Sequence, residues 1–415
     1  MTSAIIVIFC SLLLTAYIFD LTFPRTRIPS VILLLLLGWI MKQVVLFLKI
    51  RIPDVSAALG VLGSIGLILI VLEGTLELEL NVSKKSIIKK SFFGALISMF
   101  SLGFLLAAIF YYYGGYSFKD CLINAIPFCV ISSAIAIPSV KNLRPYDKEF
   151  IIYESSLSDI LSVLFFNFIA QNQFIGLVSF GNFGVQLIVI AVVSFVATVG
   201  LSYLLNKIEH QIKFVPIILL VILIYEVSVM YQLPSLIFIM IFGLFIGNLN
   251  EIKHFKWIQK LRPSELDAEV QKFKGLTIEA AFLIRSLFFL FFGYSMETSE
   301  ILNTQTLIWA FGIVAIIFIF RDVQLRLSKL PVKSLLFVSP RGLITILLFL
   351  SIDPLSRIPI VNKALITQVI LLTTLIMMFA LMISSEMKKK KPKHEDATGP
   401  PEPETAAVSE EPTFP

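Results

Sequence analysis

Cysteine and histidine are scarce in this chain of 415 residues, with three of each. Cys10, Cys121 and Cys129 follow no metal-ligand or disulfide spacing and fall within apolar segments, so they read as small core residues. His210, His254 and His394 all lie in loops or the tail, which argues against a haem, a zinc site or a histidine relay among the apolar segments. That shortage leaves few groups for hydrolysis, so neither an enzyme nor a cofactor is expected. Charge is also sparse, at 15% Asp, Glu, Lys and Arg against 57% hydrophobic residues, with a mean hydropathy of +0.90. No soluble domain of this length could hide so much apolar surface, and the bilayer must be its solvent.

What is present is a succession of apolar stretches, each of about 18 residues or more and long enough to cross roughly 30 Å of hydrocarbon as a helix. β-Barrel strands would alternate and be about half as long. The spans fall at 3–22, 28–49, 55–80, 91–114, 118–140, 149–170, 176–205, 214–231, 234–250, 276–297, 303–326, 331–352 and 362–385. The fold class is therefore an all-α polytopic membrane protein of about thirteen helices. The first span has no Lys or Arg before it and is followed by Arg25 and Arg27, so it reads as a spanning helix and not a cleaved signal.

Basic residues test this parse. One set of loops holds Arg25 and Arg27, Lys84 to Lys90, Lys141 to Lys148, Lys207 and Lys213, Lys253 to Lys274, Arg326 to Lys333 and the run from Lys388. The other set holds only Lys49, Arg51, Lys119, Arg357 and Lys363. A bias of roughly five to one places the N-terminus outside and the C-terminus in the cytoplasm. Anionic lipid accounts for the net charge of +6, so no nucleic-acid partner is expected. Residues 1–385 form the transmembrane domain in this reading, and 386–415, rich in Lys, Pro, Glu and Thr, a disordered cytoplasmic tail. Residues 251–275 suit an amphipathic helix on the cytoplasmic interface.

If the helix at 176–205 is a linker, a first repeat over 3–170 and a second over 214–385 each hold six helices, and the linker inverts the second. The fifth helix of each repeat is interrupted. In the first, Ser132 and Ser133 lie mid-span with Pro138 a turn or so later; in the second, Ser339-Pro340-Arg341-Gly342 sits midway through 331–352. Unwound backbone at membrane depth is tolerated where it lines a cavity, and matched breaks free carbonyls and helix ends to face an ion.

An ionisable side chain at mid-membrane costs at least about 2.5 to 3.5 kcal/mol, so each needs a partner or a wet cavity. Glu154 and Arg321 both sit in the cytoplasmic third, which suggests a structural ion pair, with Glu73 as a competing partner for the arginine. Arg285 and Arg341 lie near mid-span, suited either to packing or to a direct electrostatic role, and Glu226 reads as structural beside Tyr225 and Tyr231. Asp159 is left near the midplane without a cation of its own, next to Ser158 and one turn beyond Ser155. A carboxylate with hydroxyls and freed carbonyls is a hard oxygen site for a small cation, and a carboxylate away from bulk water can hold a proton when no cation neutralises it. Competition for one carboxylate suffices for exchange, so the expected activity is cation/proton antiport. A cation channel or another ion-coupled carrier is the alternative, against which stands the lack of a short selectivity filter.

At these residues the sequence resembles the monovalent cation/proton antiporter superfamily, the sodium/proton exchangers and their bacterial relatives, over residues 3 to 385. Glu73-Gly74-Thr75-Leu76-Glu77-Leu78 resembles the third-helix EGGLEL pattern, and Ser132-Ser133-Ala134-Ile135-Ala136 looks like the crossing helix of the potassium/proton branch. Glu154-Ser155-Ser156-Leu157-Ser158-Asp159 resembles the ESLLND ion-binding motif, and Arg321 with Pro340-Arg341-Gly342 resembles the two late arginines of the exchanger branch. The sequence departs from the pattern at Ser158, where Asn is usual, and at Ser133, where sodium exchangers carry Asp. The resemblance implies that Asp159, Ser155 and Glu73 bind the transported Na⁺ or K⁺ with help from Ser132 and Ser133. It implies a homodimer in the plasma membrane that moves a core domain against a dimerisation domain, electroneutral exchange, and a part in pH homeostasis.

Overall fold

A computed structural model describes residues 2–26, 28–49, 56–78, 84–140, 143–172, 176–207, 214–231, 233–248 and 263–390. The described residues are helical throughout, joined by short turns. The chain runs through α1 (Thr2–Thr26), α2 (Ser30–Phe47), α3 (Ser56–Glu77) and α4 (Lys85–Gly114). Then come α5 (Phe118–Ala125) with a 3₁₀ turn over Ile126–Cys129, α6 (Ser133–Ser139) and α7 (Pro145–Gln171). The middle comprises α8 (Leu177–Lys207), α9 (Phe214–Met230), α10 (Leu236–Gly247) and α11 (Pro263–Ser295). The last part holds α12 (Thr298–Ile301), α13 (Thr304–Leu327), α14 (Val332–Leu335), α15 (Leu343–Leu350) and α16 (Lys363–Lys390).

Each of the thirteen expected spans contains a helix. Eight are long and apolar enough to cross a bilayer, and α9, α10 and the apolar part of α1 are shorter. α7 carries Glu154 and Asp159 within its length, and α14 and α15 are the two halves of one interrupted helix. Several expected boundaries move; α4 begins at Lys85 and not 91, and α7 at Pro145 and not 149. Residues 251–262 lie outside the described residues, while 263–275, expected as part of a separate interfacial helix, continue without a break into the span as α11. The last helix runs to Lys390, beyond the expected end at 385, and the rest of the tail lies outside the described residues.

Two sets of helices frame the centre. α11 packs along α2 and α3, with α10 against α3 and α8; α4 packs on α7, α6 on α7, and α13 on α16. α7 shows why the sequence folds this way. Its buried positions include Glu154, Ser155, Ser158, Asp159 and Ser162, so its polar residues face protein and not lipid.

Candidate functional site

The two interrupted helices cross at the centre. Pro127 sits at the start of the 3₁₀ turn, after which Val130, Ile131 and Ser132 are non-helical before α6 resumes. Between α14 and α15, residues 338–342 are likewise unwound around Pro340. The breaks touch directly, for Ser132 N–H donates to the Pro340 carbonyl at 2.9 Å. Gly342 is required by that approach, because a Cβ there would collide with the Ser132 side chain.

Arg341 is a fixed cation at this crossing. Its Nε donates to the Phe128 carbonyl at 2.6 Å, and its Nη1 donates to Ser339 Oγ at 2.9 Å and to the Ser339 carbonyl at 3.2 Å. Its backbone N–H donates to Thr373 Oγ1 at 3.1 Å, tying the break to α16. The guanidinium thus answers carbonyls that the unwound backbone leaves without intrahelical partners.

Asp159 faces the first break and is 2% exposed. Its Oδ2 accepts the Ser133 N–H at 3.3 Å and the Ser133 hydroxyl. Oδ1 is buried with no hydrogen-bond partner, and among the described residues the carboxylate makes no ion pair. Ser158 Oγ accepts the Ile131 N–H at 3.0 Å, so this side chain holds the break in place. Ser155 is buried and donates its proton to the Ile151 carbonyl at 2.7 Å.

One turn nearer the start of α7, Glu154 Oε1 accepts from Arg321 Nη1 and from Gln324 Nε2, both at 2.5 Å, while Arg321 Nη1 also reaches Gln324 Oε1 at 3.0 Å. Glu154 and Arg321 are almost wholly buried, and the guanidinium lies 5.9 Å from the centre of the Phe150 ring. Gly94 of α4 packs against this group, and a Cβ there would fall 2.7 Å from Gln324 Nε2.

Glu73 takes another partner. Arg285 Nη1 is 3.6 Å from Glu73 Oε2, each side chain less than one-fifth exposed. Both line a cavity of about 560 Å³ that also reaches Asp20, Glu77, Glu279 and, at its inner end, Ser133. A second cavity, of about 250 Å³, shares α3 with the first and is lined by Ser64, Asn167, Gln171 and Glu226 among others. On α3, Leu67 borders the second cavity and Ile70 the first, a separation of about one turn, or roughly 4.5 Å. The first cavity belongs to the near face of the protein, the one at which α7 begins, and the second to the far face, at which α7 ends.

The sequence reading missed Gln324, although it lies one turn after Arg321 on the same face of α13. It also passed over Asp20 and Glu279, and gave Glu77 no role beyond its place in the third-helix pattern; all three look like ordinary helix-end charges until the cavity gathers them.

An all-helical membrane protein with two interrupted helices crossing beside a buried carboxylate, and cavities approaching from opposite ends, defines a class: the ion-coupled antiporters. The chain belongs to the sodium/hydrogen exchanger family, whose description, "Sodium/hydrogen exchanger, transmembrane", matches residues 10–386. It is a multi-pass cation/proton antiporter and not an enzyme. A solved structure of the sodium proton antiporter MjNhaP1 from Methanocaldococcus jannaschii at pH 8 has a similar fold, with a TM-score of 0.62 at 18% identity, covering 92% of this chain and 96% of that one. An electron-microscopy map of the same antiporter aligns with a TM-score of 0.60 at 19% identity over 94% and 96% of the two chains. None of the curated proteins matches the chain by sequence.

Proposed function

We propose that Asp159 is the exchangeable site, at which a monovalent cation and a proton compete as the protein alternates between near-face and far-face access. The observation that carries this reading is that Asp159, buried beside a broken helix with Oδ1 unpartnered, has no counter-charge among the described residues, whereas Glu154, whose Oε2 is also unpartnered, has Arg321. A buried orphan acceptor is costly unless a proton, a cation or water meets it. Ser133 steadies Oδ2, Ser155 offers lone pairs, and Ser158 and Ser132 hold the break that frees backbone carbonyls. The Glu154–Arg321 pair with Gln324 is scaffold, because the two charges neutralise each other, although Glu154 Oε2 and Arg321 Nε and Nη2 are buried without hydrogen-bond partners. Glu73 acts in the near cavity on the ion's approach, with Arg285 as its counter-charge.

One exchangeable carboxylate makes the exchange one-for-one and electroneutral. The near face is cytoplasmic on the distribution of Lys and Arg, with the N-terminus outside, in the plasma membrane. The protein works as a homodimer in this reading, with residues 3–170 and 214–385 as inverted repeats about the linker at 176–205.

The test uses proteoliposomes with an internal pH dye and imposed Na⁺ or K⁺ gradients, with and without a voltage clamp by ionophore. Wild type moves protons against the cation gradient at a rate the clamp does not alter, and Asp159→Asn does not. Robust exchange by Asp159→Asn would sink the proposed site; a rate set by the voltage would sink electroneutrality.

A further inference from the structure

The second cavity holds a carboxylate that the exchange chemistry does not use. Glu226 lies on α9, four residues before its end at Met230, which is roughly 6 Å inside the helix. It lines the far cavity with Ser64, Asn167, Gln171 and Ser235, and among the described residues it forms no ion pair. Its neighbour Tyr225 is hydrogen-bonded to Ser235 at the start of α10, so the wall carrying Glu226 is pinned. The two cavities differ sharply in charge. The near one gathers Asp20, Glu73, Glu77 and Glu279 against Arg285, whereas among the described residues Glu226 is the one charged side chain lining the far one.

Glu226 is exposed and close to the end of α9, where water and ions reach its carboxylate. Low-dielectric walls focus its field on the cavity, which raises the local concentration of cations. The hydroxyl and amide oxygens of Ser64, Asn167 and Gln171 are neutral ligands of the kind a partly dehydrated cation accepts. We infer that Glu226 with these oxygens forms a transient monovalent-cation site in the far vestibule, which loads and unloads Asp159 from that face alone. The inference rests on the proposed exchange at Asp159, and it adds sidedness to it.

The test measures the apparent KM for Na⁺ and for K⁺ separately from each face, in vesicles of both orientations. Glu226→Gln should raise the far-face KM roughly three- to tenfold at low ionic strength, with near-face KM and maximal rate unchanged. The difference should shrink toward about 1 M of an inert salt, where the Debye length is about 3 Å. Glu226→Asp should stay near wild type. In a Cys10→Ser background, Glu226→Cys should regain far-face affinity with an impermeant anionic methanethiosulfonate applied to that face. The cationic reagent should lower affinity further. Equal shifts on both faces, an unchanged KM in Glu226→Gln, a fall in maximal rate, or identical effects of the two reagents would each overturn the site. Failure of the exchange reading appears separately, as wild-type vesicles without exchange or an active Asp159→Asn.

Discussion

Arg285 stands 3.6 Å from Glu73 across the cavity that leads to Ser133 and Asp159. The approach to the site thus contains a carboxylate already engaged by a tethered cation. A mobile cation gains Glu73 as a ligand only by displacing the guanidinium. The pair is partly exposed, so its contribution to stability is small, of the order of 1 kcal/mol or less. Its effect should lie in ion affinity.

Arg285→Gln should therefore lower the near-face KM for the cation a few-fold and leave thermal stability within about 1 kcal/mol of wild type. Combining it with Glu73→Gln should erase the gain, and a double-mutant cycle on KM reads the coupling directly. A gain that survives in the double variant would mean that Arg285 acts through general field alone.

Competition for a single carboxylate has a definite sign with pH. Protons occupy Asp159 more as pH falls, so the apparent KM for the cation should rise on acidification while the rate at saturating cation holds. Initial rates over a matrix of pH and cation concentration decide this. A falling maximal rate at fixed KM would point to two separate sites.

Glu154→Gln should strip the buried Arg321 of its counter-charge and cost about 3 to 5 kcal/mol, seen as a lower unfolding temperature and yield in detergent. Glu154→Gln with Arg321→Met removes both charges and should recover much of that loss. Apparent cation affinity in whatever folds should change little; normal yield with a large affinity change would make Glu154 a ligand.

Gly342→Ala places a methyl group where Ser132 passes, and should pry apart the hydrogen bond from Ser132 N–H to the Pro340 carbonyl. Exchange should fall severalfold with the protein still folded, and Gly342→Ala combined with Ser132→Ala should recover part of the rate. Wild-type exchange in Gly342→Ala would show that the crossing has slack.

The helices were legible because their cause is local. A span must be apolar over about 18 residues, and a break needs Pro, Gly or clustered Ser at the right place, so both can be read along the chain. Depth within a span is also local arithmetic, which is why counting residues suggested Glu154 for Arg321, from α7 and α13, with Glu73 still competing. What sequence could not supply is rotation about each helix axis and the approach of distant helices. Arg285 and Glu73 sit at different depths by count, yet α11 and α3 pack so that they share one cavity. Ser158 neighbours Asp159 in sequence but turns to the Ile131 N–H, while Ser133, 26 residues away, supplies both hydrogen bonds to the carboxylate. Composition, hydrophobic period and depth by themselves determined an all-helical polytopic membrane protein with Asp159 left near the midplane without a cation of its own. Only tertiary packing decided which oxygen of Asp159 is left open, and that two cavities approach it from opposite faces.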